Sequence, residues 1–203
     1  MKNEEAAVTW WEKTVEYNFV SAAKDEFRLN LLAPFAGNPE SIGDAVVGAN
    51  SRFFIIEFKR TLSDFTSEID KYINGDEGIK EARNFLNELE SSKYHYIIAG
   101  DYTNGSEKLN LIIRRYFNAE EKIDFKPHEF FAEGMSDKQL EYYTEFFTKF
   151  KNRDTSSEDS DSQDGNGKSQ SCIIGIDENR KAVMLSVSYY AKLKASQKNK
   201  PKF

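Results

Sequence analysis

Asp44, Glu57 and Lys59 are the residues of this chain whose types and spacing suit chemistry best. Asp44 stands in Ile42-Gly43-Asp44-Ala45-Val46-Val47, and the other two in Phe53-Phe54-Ile55-Ile56-Glu57-Phe58-Lys59. Both runs are otherwise apolar and read as short strands. Gly48-Ala49-Asn50-Ser51 between them is a turn signal, so the two segments are expected to pair as an antiparallel hairpin. A symmetric loop sets Val47 opposite Arg52 and Asp44 opposite Ile55. Side chains alternate along a strand, so Asp44, Ile55, Glu57 and Lys59 then share one face. Glu57 lies diagonally from Asp44, at a spacing of roughly 7–8 Å, within reach of one shared cation. Two carboxylates supply hard oxygen ligands for a divalent ion, and an ammonium beside them can orient a water or balance an anion. The partner positions Phe54, Ile56, Phe58, Ala45 and Val47 are apolar, so both faces of the sheet are expected to be covered. Charges in such a setting are costly unless paired or coordinated. The plainer alternative is a structural Glu57–Lys59 contact at an exposed strand end.

Several elements must position these groups. Thr9 to Phe27 has a helical pattern, with Trp10, Val15, Phe19, Ala22 and Ala23 forming a stripe. Leu29 to Phe35 is expected to be a first strand, ending near Pro34 and Gly37. After the charged hairpin, Ser63–Tyr72 and Ile79–Leu89 read as helices broken around Gly75-Asp76-Glu77-Gly78. Tyr94–Ala99 and Leu109–Ile113 are β-type runs, and Asp137–Lys151 is an amphipathic helix with Leu140, Tyr143, Phe147 and Phe150 on one side. Residues 153–171 contain no apolar side chain, the composition of a disordered acidic, serine-rich linker. Beyond it, Cys172–Ile176 and Ala182–Val187 flank Asp177-Glu178-Asn179-Arg180 and suggest a second hairpin, followed by a lysine-rich end expected to fray. Two strands alone are rarely stable, so residues 172–203 are expected to dock on the core, 1–152, or on a partner.

The order helix, strand, strand with Asp, strand with Glu-x-Lys, helix, strand resembles the PD-(D/E)XK superfamily of nucleases, which includes type II restriction enzymes. Asp44 falls on that family's first acid, Glu57 on its second and Lys59 on its lysine, over roughly the first hundred residues. Gly43 stands where the family often has proline, and no glutamine-plus-tyrosine pattern follows the lysine. The resemblance implies an α/β fold: a restriction endonuclease-like core with a central mixed β-sheet flanked by helices on both sides. It implies a metal-dependent nuclease hydrolysing phosphodiester bonds of nucleic acid, with DNA favoured. Asp44, Glu57 and the Phe58 carbonyl would hold Mg²⁺, or Mn²⁺, joined by Glu16 of the first helix, with Glu12 as its rival. Lys59 would orient or help deprotonate the attacking water. A homodimer or a larger protein partner fits the same resemblance, as does the alternative of an inactive nuclease-like binding or regulatory module, or an interaction subunit of a larger complex.

Composition narrows the remaining classes. The chain of 203 residues carries a net charge of −6, concentrated in the acidic linker, while the last twelve residues hold five lysines and no acid. Charge asymmetry of this kind is compatible with a polyanionic partner. No run approaches the ~20 apolar residues that span a bilayer, and the acidic first residues lack an apolar signal core. The lone Cys172 excludes an internal disulfide. A cytoplasmic protein without membrane association is the expectation. His95 and His128 form no zinc motif, and nucleotide-binding glycine loops and a nucleophile elbow are missing. Arg114-Arg115 end a strand and are read as a solvated end rather than a phosphate contact; the Tyr142–Phe150 stripe is read as core packing.

Overall fold

The computed structural model describes residues 10–24, 28–32, 51–102, 108–152 and 171–198. In chain order these form α1 (Glu12–Ala23), β1 (Arg28–Leu32), β2 (Arg52–Lys59), a 3-10 turn (Leu62–Phe65) running into α2 (Thr66–Ile69), and α3 (Asp76–Leu86). Then come a 3-10 turn (Glu90–Tyr94), β3 (His95–Asp101), β4 (Asn110–Arg115), β5 (Lys122–Ile123), α4 (Pro127–Phe130) and α5 (Asp137–Lys149). The hairpin β6 (Cys172–Ile176) and β7 (Lys181–Ser186) precedes α6 (Val187–Lys198).

The strands make one mixed seven-stranded sheet in the order β1-β7-β6-β2-β3-β4-β5, with β2 in the middle. β2 runs parallel to β3 and antiparallel to β6, and β1 runs parallel to β7. A strand in this position is covered on both faces and must be apolar nearly throughout. In β2 only the first residue, Arg52, is partly exposed. Phe54, Ile56 and Phe58 point to one face, where α1 lays Val15, Phe19 and Ala23 and where Phe130 and Phe131 close over them. Phe53 and Ile55 point to the other, under Ile79, Ala82 and Leu86 of α3, Leu140, Tyr143 and Phe147 of α5, and Tyr190 of α6. The fold is therefore α/β, with helices packed on both faces of a mixed sheet. No helix among the described residues is long and apolar enough to cross a membrane.

Residues 42–47, expected to pair with β2, lie outside the described residues, and among the described strands β2 is flanked by β6 and β3. Arg52 faces Ile176 and Ile55 faces Ile173, so β6 holds the edge that the hairpin register gave to Val47 and Asp44. The other edge takes His95–Ala99, and Phe53 exchanges both backbone hydrogen bonds with Met135. The physical reason is visible in β6 itself. Ile173 serves one face and Ile174 and Ile176 the other, which the middle of a two-sided sheet demands. The sheet thus draws on residues from both sides of 153–171.

The lysine-rich end also differs from expectation, because α6 forms through Lys198. The Ser186 hydroxyl accepts the Tyr189 N–H at 3.1 Å, and Lys194 and the Tyr190 hydroxyl both bind the Asp137 carboxylate at the start of α5. α5 itself begins with a capping box, Ser136 and Gln139 each accepting the other's backbone N–H. The turn between α2 and α3 needs left-handed backbone at Asn74 and Gly75 (φ 63° and 56°). Three residues on, any side chain at Gly78 would collide with the Ile73 carbonyl. Gly75 is the residue at which the chain enters α3.

Phe19 is fully buried at the meeting of α1, β2 and the Phe125–Phe130–Phe131 cluster. Phe19→Ala is expected to cost about 3–5 kcal/mol in urea unfolding, with the slope of the transition preserved.

Candidate functional site

β6 begins opposite Ile56, so Glu57, Phe58 and Lys59 continue beyond the end of that ladder, against Ile97–Ala99 of β3 alone among the described strands. Glu57 and Lys59 share a face with Phe53 and Ile55, as alternation requires, and both are buried, at 0 % and 1 % exposure. Lys59 Nζ lies 3.7 Å from Glu57 Oε1. A third charged group closes the contact: Glu68 of α2, also fully buried, accepts Lys59 Nζ at 2.6 Å through Oε1.

Two further ammonium groups enter from elsewhere in the chain. Lys71, one turn after Glu68, reaches Glu68 Oε1 at 2.5 Å and Glu57 Oε1 at 3.4 Å. Lys151, just past α5, donates to Glu68 Oε2 at 3.1 Å and to the Tyr116 hydroxyl at 2.9 Å. The Tyr116 hydroxyl donates in turn to Glu68 Oε2 at 3.2 Å and accepts from Tyr72 at 3.0 Å. The Ser171 hydroxyl, at the head of β6, donates to Glu57 Oε2 at 2.5 Å. Lys151 is brought in by backbone pairing. Ile73 N–H donates to the Phe150 carbonyl and Asn152 N–H to the Lys71 carbonyl, clamping residues 150–152 along the turn after α2. Its ammonium sits 4.1 Å from the Tyr72 ring centre and 4.9 Å from that of Phe147.

The two acids respond in opposite directions. Burial and the negative charge of Glu68 raise the Glu57 carboxyl above its ordinary range, against the pull of Lys71, Lys59 and Lys151. Burial also opposes ionisation of Glu68, yet Lys151, Lys71 and Lys59 together hold its carboxyl well below that range. Burial lowers Lys151, while the two carboxylates outweigh burial at Lys71 and raise it. The arrangement can hold an ionised carboxylate in a dry interior beside a second one whose ionisation burial and its neighbour oppose.

The sequence-derived residues distribute as follows. Glu57 and Lys59 come together. Asp44 lies outside the described residues. Glu16 is buried on α1, which packs on the opposite face of the sheet, and its carboxylate binds Lys13 at 2.6 Å. It remains in electrostatic range of Cys172, as does Glu57, and burial with both charges pushes that thiol up to about 12. Glu12, the rival on the same helix, is partly buried. Phe58 turns its ring into the cluster around Phe19, leaving its carbonyl between the two charged residues of the strand. Arg115 lies over the Tyr96 ring and donates to its hydroxyl at 2.8 Å, a structural engagement rather than a free phosphate contact.

Glu68, Lys71, Lys151, Tyr116 and Ser171 were not among the candidates. A signal for Glu68 exists: Phe65, Glu68, Ile69 and Tyr72 have the i, i+3, i+4, i+7 spacing of one helical stripe, with an acid where an apolar residue belongs. Lys151 follows Tyr143 and Phe147 at the same period.

His95 is part of the aromatic wall of this site. It is fully buried, stacks on Tyr116 at 3.9 Å between ring centres, and pairs Nδ1 with the Tyr143 hydroxyl at 2.9 Å. Burial, reinforced by Lys151, keeps it neutral far below its ordinary range. No family model, curated protein or solved structure matches this chain.

Glu68→Gln removes the charge that three lysines share and is expected to cost about 3–5 kcal/mol in chemical denaturation. Glu145→Gln breaks the exposed pair with Lys149 and should change stability by less than about 0.5 kcal/mol. His95 supplies a pH test. Its folded value is depressed, so below about 6.5 the unfolded chain binds the extra proton and stability falls with pH, by up to ~1.4 kcal/mol per pH unit. The raised Glu57 contributes the opposite slope above about 4.5. Between these values acidification should lower the stability of wild type relative to His95→Phe, and the difference between their denaturation profiles isolates the histidine.

Proposed function

We propose that the chain is a metal-dependent nuclease with a restriction endonuclease-like core, hydrolysing phosphodiester bonds of DNA in the cytoplasm. The observation that carries the reading is the convergence of Glu57 and Lys59, both buried, at the end of the central strand. The element order supports it: a helix, a strand, the Glu-x-Lys strand, helices, then a strand parallel to it.

The donor chemistry fits a hard divalent ion in part. Glu57 offers carboxylate oxygens, and the Phe58 carbonyl follows it in the strand. Among the described residues no group of three or more His, Cys, Asp or Glu side chains comes together, so Asp44 and waters would complete the set. Mg²⁺ or Mn²⁺ bound there supplies charge for the phosphoryl oxygens and acidifies a water. The protein's own part is Glu57 holding the ion's side of the site and Lys59 aiming an N–H at the attacking water or the phosphate. Glu68, held ionised, keeps Lys59 oriented.

A second reading has its own support. Lys71 and Lys151 add two ammonium groups to the acids, which are thereby compensated without any metal. On that ground the fold serves as an inactive nuclease-like module that binds nucleic acid or a larger complex.

Plasmid DNA, single-stranded DNA and RNA incubated with Mg²⁺, Mn²⁺ or chelator separate the two. The nuclease reading expects cleavage that chelator abolishes, and a loss of at least about a hundredfold in Glu57→Gln and Lys59→Met with circular dichroism unchanged. Binding without cleavage under every metal would establish the module instead, and activity unchanged in both variants would sink the proposed site.

A further inference from the structure

Oxygen by oxygen, the cluster assigns unequal roles to its lysines. Glu68 Oε2 is engaged by Lys151 and the Tyr116 hydroxyl, and Glu57 Oε2 by Ser171. The remaining pair, Oε1 of each acid, faces Lys59 and Lys71. Lys59 is fixed by its place in the central strand and is 1 % exposed. The side chain of Lys71 is 20 % exposed and springs from the turn after α2, between that short helix and the left-handed pair Asn74-Gly75. Of the two ammonium groups on the Oε1 pair, Lys71 is the one with a path to solvent.

We propose that Lys71 is a tethered counter-ion occupying the position between Glu57 and Glu68 that a divalent cation takes in the active state, so that metal binding and Lys71 withdrawal are one event. The inference rests on the metal-dependent reading above and adds Glu68 as a group facing the ion. With both acids and all three lysines ionised, the cluster carries one net positive charge. A divalent ion entering beside an undisplaced Lys71 would meet three ammonium groups within a few ångströms, in an interior where such repulsion is poorly screened. Displacement of Lys71 into water removes one of them and opens the solvent-facing side of both Oε1 atoms, with Lys59 left as the ammonium still beside them. The long, flexible lysine stem allows this motion while the backbone stays clamped to Asn152. The full chain therefore has weak metal affinity by construction, and whatever draws Lys71 away, including a phosphate backbone, raises that affinity.

The test is Mn²⁺ binding to the full-length protein by isothermal titration, with thermal melting as a second readout. Lys71→Met keeps the stem and removes the charge; it is expected to bind Mn²⁺ at least about tenfold more tightly than wild type and to melt higher with added metal. Lys80→Met removes an exposed lysine paired with Glu77 and should leave affinity unchanged. Glu68→Gln in the Lys71→Met background should abolish the gain, and the melting curve without metal shows whether that double variant folds. If it does not, Tyr116→Phe, which removes one donor to Glu68 Oε2 without altering charge, should retain the gain in the Lys71→Met background. Equal affinity of wild type and Lys71→Met overturns the inference, whether or not the wild type cleaves. Tighter binding without cleavage upholds it and removes the hydrolase reading. Absence of metal binding in both, with no metal-dependent cleavage, removes both.

Discussion

An ionised carboxylate with no solvent exposure, beneath the middle of a seven-stranded sheet, is the constraint around which this molecule is organised. Isolated burial of such a charge is prohibitive, and partners must be delivered with good geometry. Glu68 receives Lys59 from β2, Lys71 from its own turn, Lys151 from the end of α5 and the Tyr116 hydroxyl beyond β4. These groups are distant in sequence, so the cluster forms only when sheet, helices and the strap at 150–152 are all in place. The same assembly explains why two glutamates of equal burial diverge. Glu68 has three lysines within 3.1 Å, whereas the nearest to Glu57 stand at 3.4 and 3.7 Å and a second carboxylate faces it. Like charges brought together in a low-dielectric site push one of the pair toward protonation.

Aromatic residues supply the wall that makes these interactions strong. Tyr72, Tyr116 and Phe147 surround the Lys151 ammonium, and Phe65 meets Tyr116 edge-on. A wall of leucine would exclude water equally well but would offer no hydroxyl to the buried charges. Tyrosine does both, giving bulk on one side and a donor at the tip. Burial keeps the Tyr72 and Tyr116 phenols protonated. They therefore act as fixed donors in a chain that ends on Glu68. His95, stacked on Tyr116 and neutral, adds to the wall without adding another positive charge to three lysines.

Much of this was legible in the chain, for reasons that differ by element. Strong local periodicity gave α1, α5, β3 and β4 nearly in place, and alternation put Glu57 and Lys59 on one face of a strand covered on both sides. The break around Gly75 and Gly78 was readable because left-handed backbone and close approach demand those residues. Strand partners were less legible. A turn signal at 48–51 favours the nearest neighbour, whereas the middle of the sheet goes to the segment whose both faces are apolar, and that segment is Cys172–Ile176. The lysine-rich end reads as solvated from composition alone; only the position of Asp137 at the head of α5 gives Lys194 a reason to be ordered. Glu68 and Lys151 escaped because charged residues on amphipathic stripes are normally assigned to the exposed side. Their spacing nevertheless places them among Phe65, Ile69 and Tyr72, and behind Tyr143 and Phe147.

The end of β2 gathers charged groups from both sides of the sheet, and each carboxylate there has an ammonium beside it. Glu57 approaches from the face of α5, Glu16 from the face of α1, and Cys172 feels both. Burial and these two carboxylates push the Cys172 thiol up to about 12, which disfavours the thiolate. His95 is fully buried, stacked on Tyr116 and paired with the Tyr143 hydroxyl, so its ring belongs to the wall. What remains at the carboxyl ends of the parallel strands β2 and β3, where open sheets commonly bind ligands, are carboxylates and ammonium groups. Such a set can exchange one cation for another and can aim a fixed positive charge at an anion.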